Sequence, residues 1–421
     1  MKQTNYKNIL LNRLLLSLFI LIFIRIGTFL PVPGIDHGYL AFYLARHTIT
    51  KSLVSTFSGN DQFVIGLFTL NIFPYINASI LMQFLISSVP NLSKLQKEGG
   101  GEGRRKINNL TRLITLGWAL IQSSTIAFYL KRALFNWNLL LAIKIIIWLT
   151  TGAMIVLWLS EIITEYGLGN GASLLIYTNI VSNLPSFGKN LFKILNESVS
   201  FSSCLVIILL FFTAISGIVL LQEATRIIPL ISSKQLNQKN PTIPLLVDVD
   251  NSYMLPLKFN QAGVMPIILT TAILIIPTYV KNLSLLPIIT LPSFLESSRI
   301  FYWISYFVLI LLFSSFYSKI VLKPEDIAND LQKQAVSIPG IRPGIETTFY
   351  LKQVMKRITY LGAIMLAILS TLPNLIETIL PGSSFNGLGT TSLLILVGVI
   401  LDLSREVRNI VLSNIYNERF Y

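Results

Sequence analysis

For its length, this chain has very little cysteine, histidine or acidic side chain. Its 421 residues hold one Cys, two His and 19 Asp plus Glu. Cys204 has no internal partner for a disulfide, and His37 with His47 cannot build a structural metal cluster, so the fold must stand on helix packing. Two histidines in one loop and a single thiol also leave no dyad or metal site for a membrane-embedded enzyme, and neither metal nor cofactor is expected. Charged residues make up only 12%, against a soluble average of about 25%. Within the apolar runs the ionisable groups reduce to Arg25 and Lys144, at about 2.5 to 3.5 kcal/mol each for a helix centre, and both are expected to snorkel to the nearer interface. Glu161, Glu165 and Asp402 lie near run ends. A secondary active transporter of a small solute is the alternative reading, and it would normally carry coupling carboxylates at mid-membrane.

What the chain has in abundance is apolar surface, with 53% hydrophobic residues and a mean hydropathy of +0.67. Ten stretches are read as membrane spans: Leu14 to Leu30, Ile65 to Val89, Leu113 to Leu130, Leu139 to Ile163, Ala172 to Leu184, Ser203 to Leu221, Ala262 to Val280, Ile300 to Ser318, Ile358 to Ile376 and Leu388 to Leu403. Roughly twenty-three Lys and Arg share a side with the N-terminus and about eight lie opposite, which puts both termini in the cytoplasm, or the stroma of an organelle. The net charge of +14 is therefore what topology requires, not a nucleic-acid footprint. Lys2, Lys7 and Arg13 imitate a signal peptide, but Pro31-Val32-Pro33-Gly34 follows where a small-residue cleavage site would stand, so the first stretch is read as a retained span.

Two stretches are poor spans. Ala172 to Leu184 is short and holds Asn179 and Ser182, and Ser52 to Phe63, ahead of the second stretch, suits only a short helix in a cavity mouth. Asn71-Ile72-Phe73-Pro74-Tyr75-Ile76 resembles Gly263-Val264-Met265-Pro266-Ile267-Ile268, and Ser173 to Ile176 resembles Ser392 to Ile395. An odd number of spans per copy makes the second copy inverted, with the site at the membrane midplane. Pro74 and Pro266 each remove a backbone hydrogen bond, so both are expected to kink or weaken their spans. With Asn71, Asn77, Asn260 and Gln261 they mark a polar path between the second and seventh spans.

The N-terminal side carries four polar segments. Lys94 to Lys106 reads as a loop flexible at its glycines and basic at Arg104, Arg105 and Lys106, and without Gly-Lys-Ser or Gly-Lys-Thr it is no nucleotide-binding loop. The segment from Lys319 to Arg357 holds a short helix at Lys323 to Leu331, then Ile338-Pro339-Gly340-Ile341-Arg342-Pro343-Gly344, whose paired Pro-Gly turns present Arg342 on a stiff tip. Arg226 to Lys258 and the tail from Ser404 complete a docking face.

Taken together these motifs resemble the SecY family, the pore subunit of the general protein translocase. The likeness rests on Arg25 to Asp36, Pro74 to Ile80, Lys97-Glu98 through Arg104-Arg105-Lys106-Ile107, Glu161 to Glu165 with Gly167 to Gly171, Leu255 to Lys258, Pro339 to Gly344 and Gly389 to Ile395, in that order and spacing. It implies an all-α polytopic fold of ten transmembrane helices in two inverted five-helix repeats around an hourglass channel. The halves would be residues 1–190 and 191–421, with a plug at about 52–63 and large loops at about 222–261 and 319–357. Carried over to this sequence, the pore ring is Ile72, Ile76, Ala172, Ile176, Ile268 and Ile395, with Ala172 standing where the family usually has a bulky residue. The lateral gate is Pro74, Asn77, Gln261 and Pro266; the plug carries Leu53, Phe57, Ser58 and Gly59; motor or ribosome docking falls to Arg104, Arg105, Lys106, Arg226 and Arg342. The implied partners are a SecE-type small subunit, a third subunit of SecG type where one exists, a SecA motor ATPase or a ribosome or both, preproteins with signal sequences, and lipid. Compactness and richness in Asn, Ile and Lys look like a form encoded in an algal plastid genome, with a thylakoid location and stromal termini; a bacterial inner-membrane protein is the alternative.

Overall fold

A computed structural model of the chain describes residues 3–33, 35, 38, 65–98, 100–130, 138–197, 201–232, 253–260, 263, 265–267, 269–270, 299–321, 323–379 and 390–420. The helices are α1 (Gln3–Phe29), α2 (Phe73–Ser88), α3 (Pro90–Glu98), α4 (Gly100–Leu130), α5 (Leu139–Tyr166), α6 (Gly171–Glu197), α7 (Phe201–Glu223), α8 (Arg299–Val321), α9 (Pro324–Lys333), α10 (Ile345–Ile379) and α11 (Thr390–Phe420). Strands β1 (Thr225–Ser232), β2 (Tyr253–Lys258) and β3 (Val336–Ser337) form a small sheet in the order β2-β1-β3. Among the described helices, Leu10–Phe29, Leu139–Tyr166 and Ile345–Thr371 are long and apolar enough to cross a membrane. Many of their large side chains, such as Phe19, Ile22, Leu139 and Trp158, are exposed, as a lipid-facing surface requires.

The chain divides into two compact units, Met1–Phe192 with Val399–Tyr421, and Lys193–Gly398. In the first, α2 packs on α4, α4 on α5 and α1 on α5. Its core gathers Val32, Ile65, Leu70, Ala119, Ile145, Leu149 and Ala153. In the second, α10 packs along α7 and α8 through its later turns and beneath the sheet and α9 through its first turns.

Three local expectations need correction. The glycine-rich Lys94 to Lys106 segment is not a flexible loop but two helices, α3 and α4, broken at Gly100 with φ +50°. Gly103 allows the close fold-back, since a Cβ there would lie 2.1 Å from the Leu95 carbonyl oxygen. The poor fifth span is the start of a 27-residue helix, α6, which runs on through Pro185. Arg226 to Lys258 contributes a ladder that hydropathy did not suggest, pairing Arg226 with Leu257 and Ile228 with Leu255. Pro229 and Pro256 obscure these strands in the sequence, because proline cannot donate to a ladder.

Candidate functional site

Pro74 does not kink a span. The second apolar stretch is irregular from Ile65 to Ile72, and α2 then starts at Phe73 with Pro74 in its first turn, where a missing N–H costs nothing. This entry segment is locked on three sides. The Val32 N–H donates to the Ile65 carbonyl at 3.1 Å and the Leu67 N–H to that of Leu30 at 2.9 Å. A Cβ at Gly66 would fall 1.9 Å from the Thr28 carbonyl oxygen, and one at Gly152 of α5 would fall 2.0 Å from that of Leu67, so α1 and α5 both touch the backbone of the turn. Asn71 ends it at φ +45°, a left-handed conformation that asparagine tolerates. Its Oδ1 accepts the Ile72 N–H at 2.8 Å, and its own N–H donates to the Phe68 carbonyl at 3.0 Å. Ile72 and Ile76 follow, one turn apart and both buried, and Asn77 is half-buried.

Beside this turn, Arg25, Thr28, Asn71, Thr178 and Asn179 line a cavity with room for about one water molecule. Arg25 therefore turns inward instead of snorkelling along lipid; its Nη1 is buried and its guanidinium lies 5.1 Å from the centre of the Phe29 ring. Lys144, by contrast, is exposed on α5. Leu175 and Thr178 of α6 line the same cavity as Asn71, so Asn71, next to Ile72, and Leu175, next to Ile176, border one space.

The start of α6 is held as firmly. The Thr164 hydroxyl donates to the Ser160 carbonyl and accepts the Gly171 N–H, both at 2.9 Å, while Asn170 Oδ1 accepts the Ala172 N–H at 3.0 Å. A Cβ at Gly171 would stand 2.0 Å from the Ser160 carbonyl oxygen. Ala172 and Ile176 emerge half-buried from this rigid corner.

Within the second unit, Gly263 has φ +63° and Met265–Ile267 is helical, with the Thr270 hydroxyl donating to the Pro266 carbonyl at 2.8 Å. The register matches that of Asn71: a left-handed residue, three positions before a proline in a first helical turn. Sequence reading noticed the likeness of the two segments but missed the left-handed residue; Asn in one copy and Gly in the other, the two residue types that best accept positive φ, was the available signal. Pro266 is buried, and Ile395 is half-buried on α11. Leu53, Phe57, Ser58, Gly59, Gln261 and Ile268 lie outside the described residues.

In the first unit Arg104, Arg105 and Lys106 are exposed in the opening turns of α4; in the second, Arg226 is exposed on β1 and Arg342 in the turn before α10. The Ile341 N–H donates to the Ile338 carbonyl at 3.1 Å, and the Thr347 hydroxyl to that of Arg342 at 2.8 Å, so the tip is as stiff as its paired prolines suggest. Arg112 of α4 holds Glu161 of α5 through two hydrogen bonds of 2.9 and 2.8 Å. Those bonds push the Arg112 guanidinium above its ordinary range. With side chains 49% and 29% exposed, the pair contributes at most about 1 kcal/mol, fixing the approach of α4 to α5 more than stabilising it.

Apolar helices of spanning length, with large apolar side chains exposed on their exteriors, define a polytopic helical membrane protein. The SecY family model matches residues 66–404. The protein translocase subunit SecY of Trieres chinensis is 68% identical over the whole of both chains, and that of Guillardia theta 43% identical over 97% of each. Among solved structures, one titled "The structure of a protein conducting channel" has the same fold, with a TM-score of 0.66 at 18% identity over 96% of this chain and 93% of the other. The chain belongs to the SecY family and is a protein-conducting channel. Its algal relatives make it a plastid membrane protein.

Proposed function

We propose that unfolded preproteins cross the membrane through a waist formed by Ile72, Ile76, Ala172, Ile176, Ile268 and Ile395, and that hydrophobic segments leave sideways between the helices opened by Pro74 and Pro266. The observation that carries this reading is the locked entry to α2, which delivers Ile72 and Ile76 as two buried branched side chains from an irregular, proline-started helix. A narrow apolar constriction excludes ions by dewetting. The same side chains offer a passing polypeptide no hydrogen bonds, so they can part around it without holding it. Signal sequences with about 7 to 15 apolar residues partition to lipid at roughly 25 cal/mol per Å² removed from water. Leu53 to Gly59 would cover the ring from the far side as a plug.

The channel works as a conduit and not as an enzyme, and the driving force comes from a motor ATPase or a ribosome docked on the stromal face. Two inverted five-helix repeats, residues 1–190 and 191–421, clamped by a SecE-type subunit, would frame the pore. Asn77 and Gln261 would line the gate. The thylakoid membrane is the site, with both termini stromal, which fits roughly twenty-three basic residues on that side. One solved structure of the same fold is titled "Sec61 in the Canine ribosome-channel complex from the endoplasmic reticulum", with a TM-score of 0.62, and it supports a ribosome as a docking partner. Arg342 is the contact to test, with Arg104, Arg105, Lys106 and Arg226 around it. An Arg342→Glu variant that still assembles should lose translocation by at least tenfold in a vesicle import assay, and wild-type rates would remove Arg342 from the docking face.

A further inference from the structure

Arg25 is an ionisable side chain deep in a span, and it faces the residues that stand behind the waist. It lies about 16 Å along the first apolar stretch from Leu14, near the middle of a hydrocarbon core about 30 Å thick. A charged group is retained at such a depth where it reaches polar groups or water inside the protein. Its Nη1 is buried, and it shares a cavity of about one water's size with Thr28 of α1, Asn71 of the entry turn, and Thr178 and Asn179 of α6, all within the first unit.

The hydrogen bonds already made decide what that cavity accepts. Thr28 donates its hydroxyl hydrogen to the Arg25 carbonyl at 2.7 Å, and Thr178 donates its own to the Leu174 carbonyl at 2.8 Å, so each hydroxyl oxygen is left as an acceptor. Asn71 Oδ1 accepts the Ile72 N–H at 2.8 Å, which leaves its amide nitrogen to donate, as the Arg25 guanidinium does. A bound anion would want donors alone. Water, which both donates and accepts, matches the mixture.

We propose that this cavity is a water site, and that Arg25 acts through the water as a positioning residue, fastening the entry turn to α6 and so keeping the waist closed. Its effect on the seal rests on the channel reading above. Asn71 precedes Ile72, and Leu175, also on the cavity wall, precedes Ile176, so a link across the cavity sets the spacing of two ring positions carried on separate helices. The apolar ring side chains attract one another without direction, whereas hydrogen bonds to an ionised donor are directional and strong. The link is also reversible, because water entering a parted ring replaces the bonds that the bound water made.

The test uses the assembled channel complex as wild type, Arg25→Met, Arg25→Lys, Thr178→Val and the Arg25→Met, Thr178→Val double variant. Hydrogen exchange over residues 67–76 and 172–180, read by mass spectrometry, reports the fastening whatever the channel carries. Arg25→Met should speed exchange in both segments at least fivefold. Arg25→Lys should return it to within twofold of wild type, since an ammonium can donate to the same water. Thr178→Val, equal in shape without the acceptor, should speed both segments as well, and the double variant no more than Arg25→Met alone, because the two side chains act through one link. Ion leak of idle proteoliposomes should follow the same order. Unchanged exchange in Arg25→Met or in Thr178→Val, no rescue by lysine, or effects that multiply in the double variant would each overturn the fastening. A map of the wild-type complex that resolves ordered water, with no density in the cavity, would overturn the water site. The Ile72, Ile76 to Asn variant reports the channel reading separately: leak there without leak in Arg25→Met would defeat this inference alone.

Discussion

Replacing Ile72 and Ile76 together by Asn is expected to turn a sealed membrane into a leaking one, raising ion permeability of proteoliposomes by at least about tenfold. Both side chains are buried at 1% and 4% exposure, at the start of a helix whose entry is fixed by Asn71, Gly66 and Gly152. An apolar constriction excludes ions because water itself is unstable there; amides supply donors and acceptors, the constriction wets, and the barrier to ions collapses. Destabilisation alone would predict the same leak from any buried polar substitution in α2. Met82, 3% exposed and six residues on, points about 240° around the helix from Ile76. Met82→Asn should lower stability without opening the seal. Equal leak from both variants would remove Ile72 and Ile76 from the waist.

The second large effect concerns a residue far from the ring in sequence. Gly152→Ala is expected to lower thermal stability sharply and to loosen the seal at once, because the added methyl would lie 2.0 Å from the Leu67 carbonyl oxygen and 2.9 Å from its carbon. Backbone, unlike a flexible side chain, cannot swing aside, so either α5 or the turn ahead of Asn71 must shift. Overpacking of this kind costs about 1 to 3 kcal/mol or more. Gly117→Ala in α4 is the control: nothing lies within 4 Å of its Cβ, and a helical alanine gains up to about 1 kcal/mol over glycine. Melting of the two variants in detergent, read beside ion leak, separates them. Identical behaviour would contradict the close approach of α5 to the entry turn.

These contacts show where sequence reading succeeded and where it failed. Apolar runs placed α1, α5 and the membrane part of α10, because a bilayer imposes length and composition directly on a span. Arg342 was legible for a local reason too, since flanking Pro-Gly pairs dictate turns without help from the rest of the fold. Pro74, expected to kink or weaken its span, instead stands where the helix begins, because whether a proline interrupts a helix or opens one depends on what precedes it; here Gly66, Asn71 and two neighbouring helices hold the preceding residues out of helix. Hydropathy alone sends Arg25 outward, yet a small cavity lined by Thr28, Asn71, Thr178 and Asn179 beside Leu21, Ile24 and Leu175 gives it a place inside. The loop glycines Gly100 and Gly103 looked like flexibility and are instead a break and a contact surface between two helices.

The most direct test of the channel reading is site-specific crosslinking from Ile76 and Ile268 to a stalled secretory polypeptide in membranes holding the assembled complex. Nascent chain captured from both positions is the predicted result. Its absence from both, with the complex folded and its partners bound, would contradict a waist at these residues and reopen the small-solute transporter.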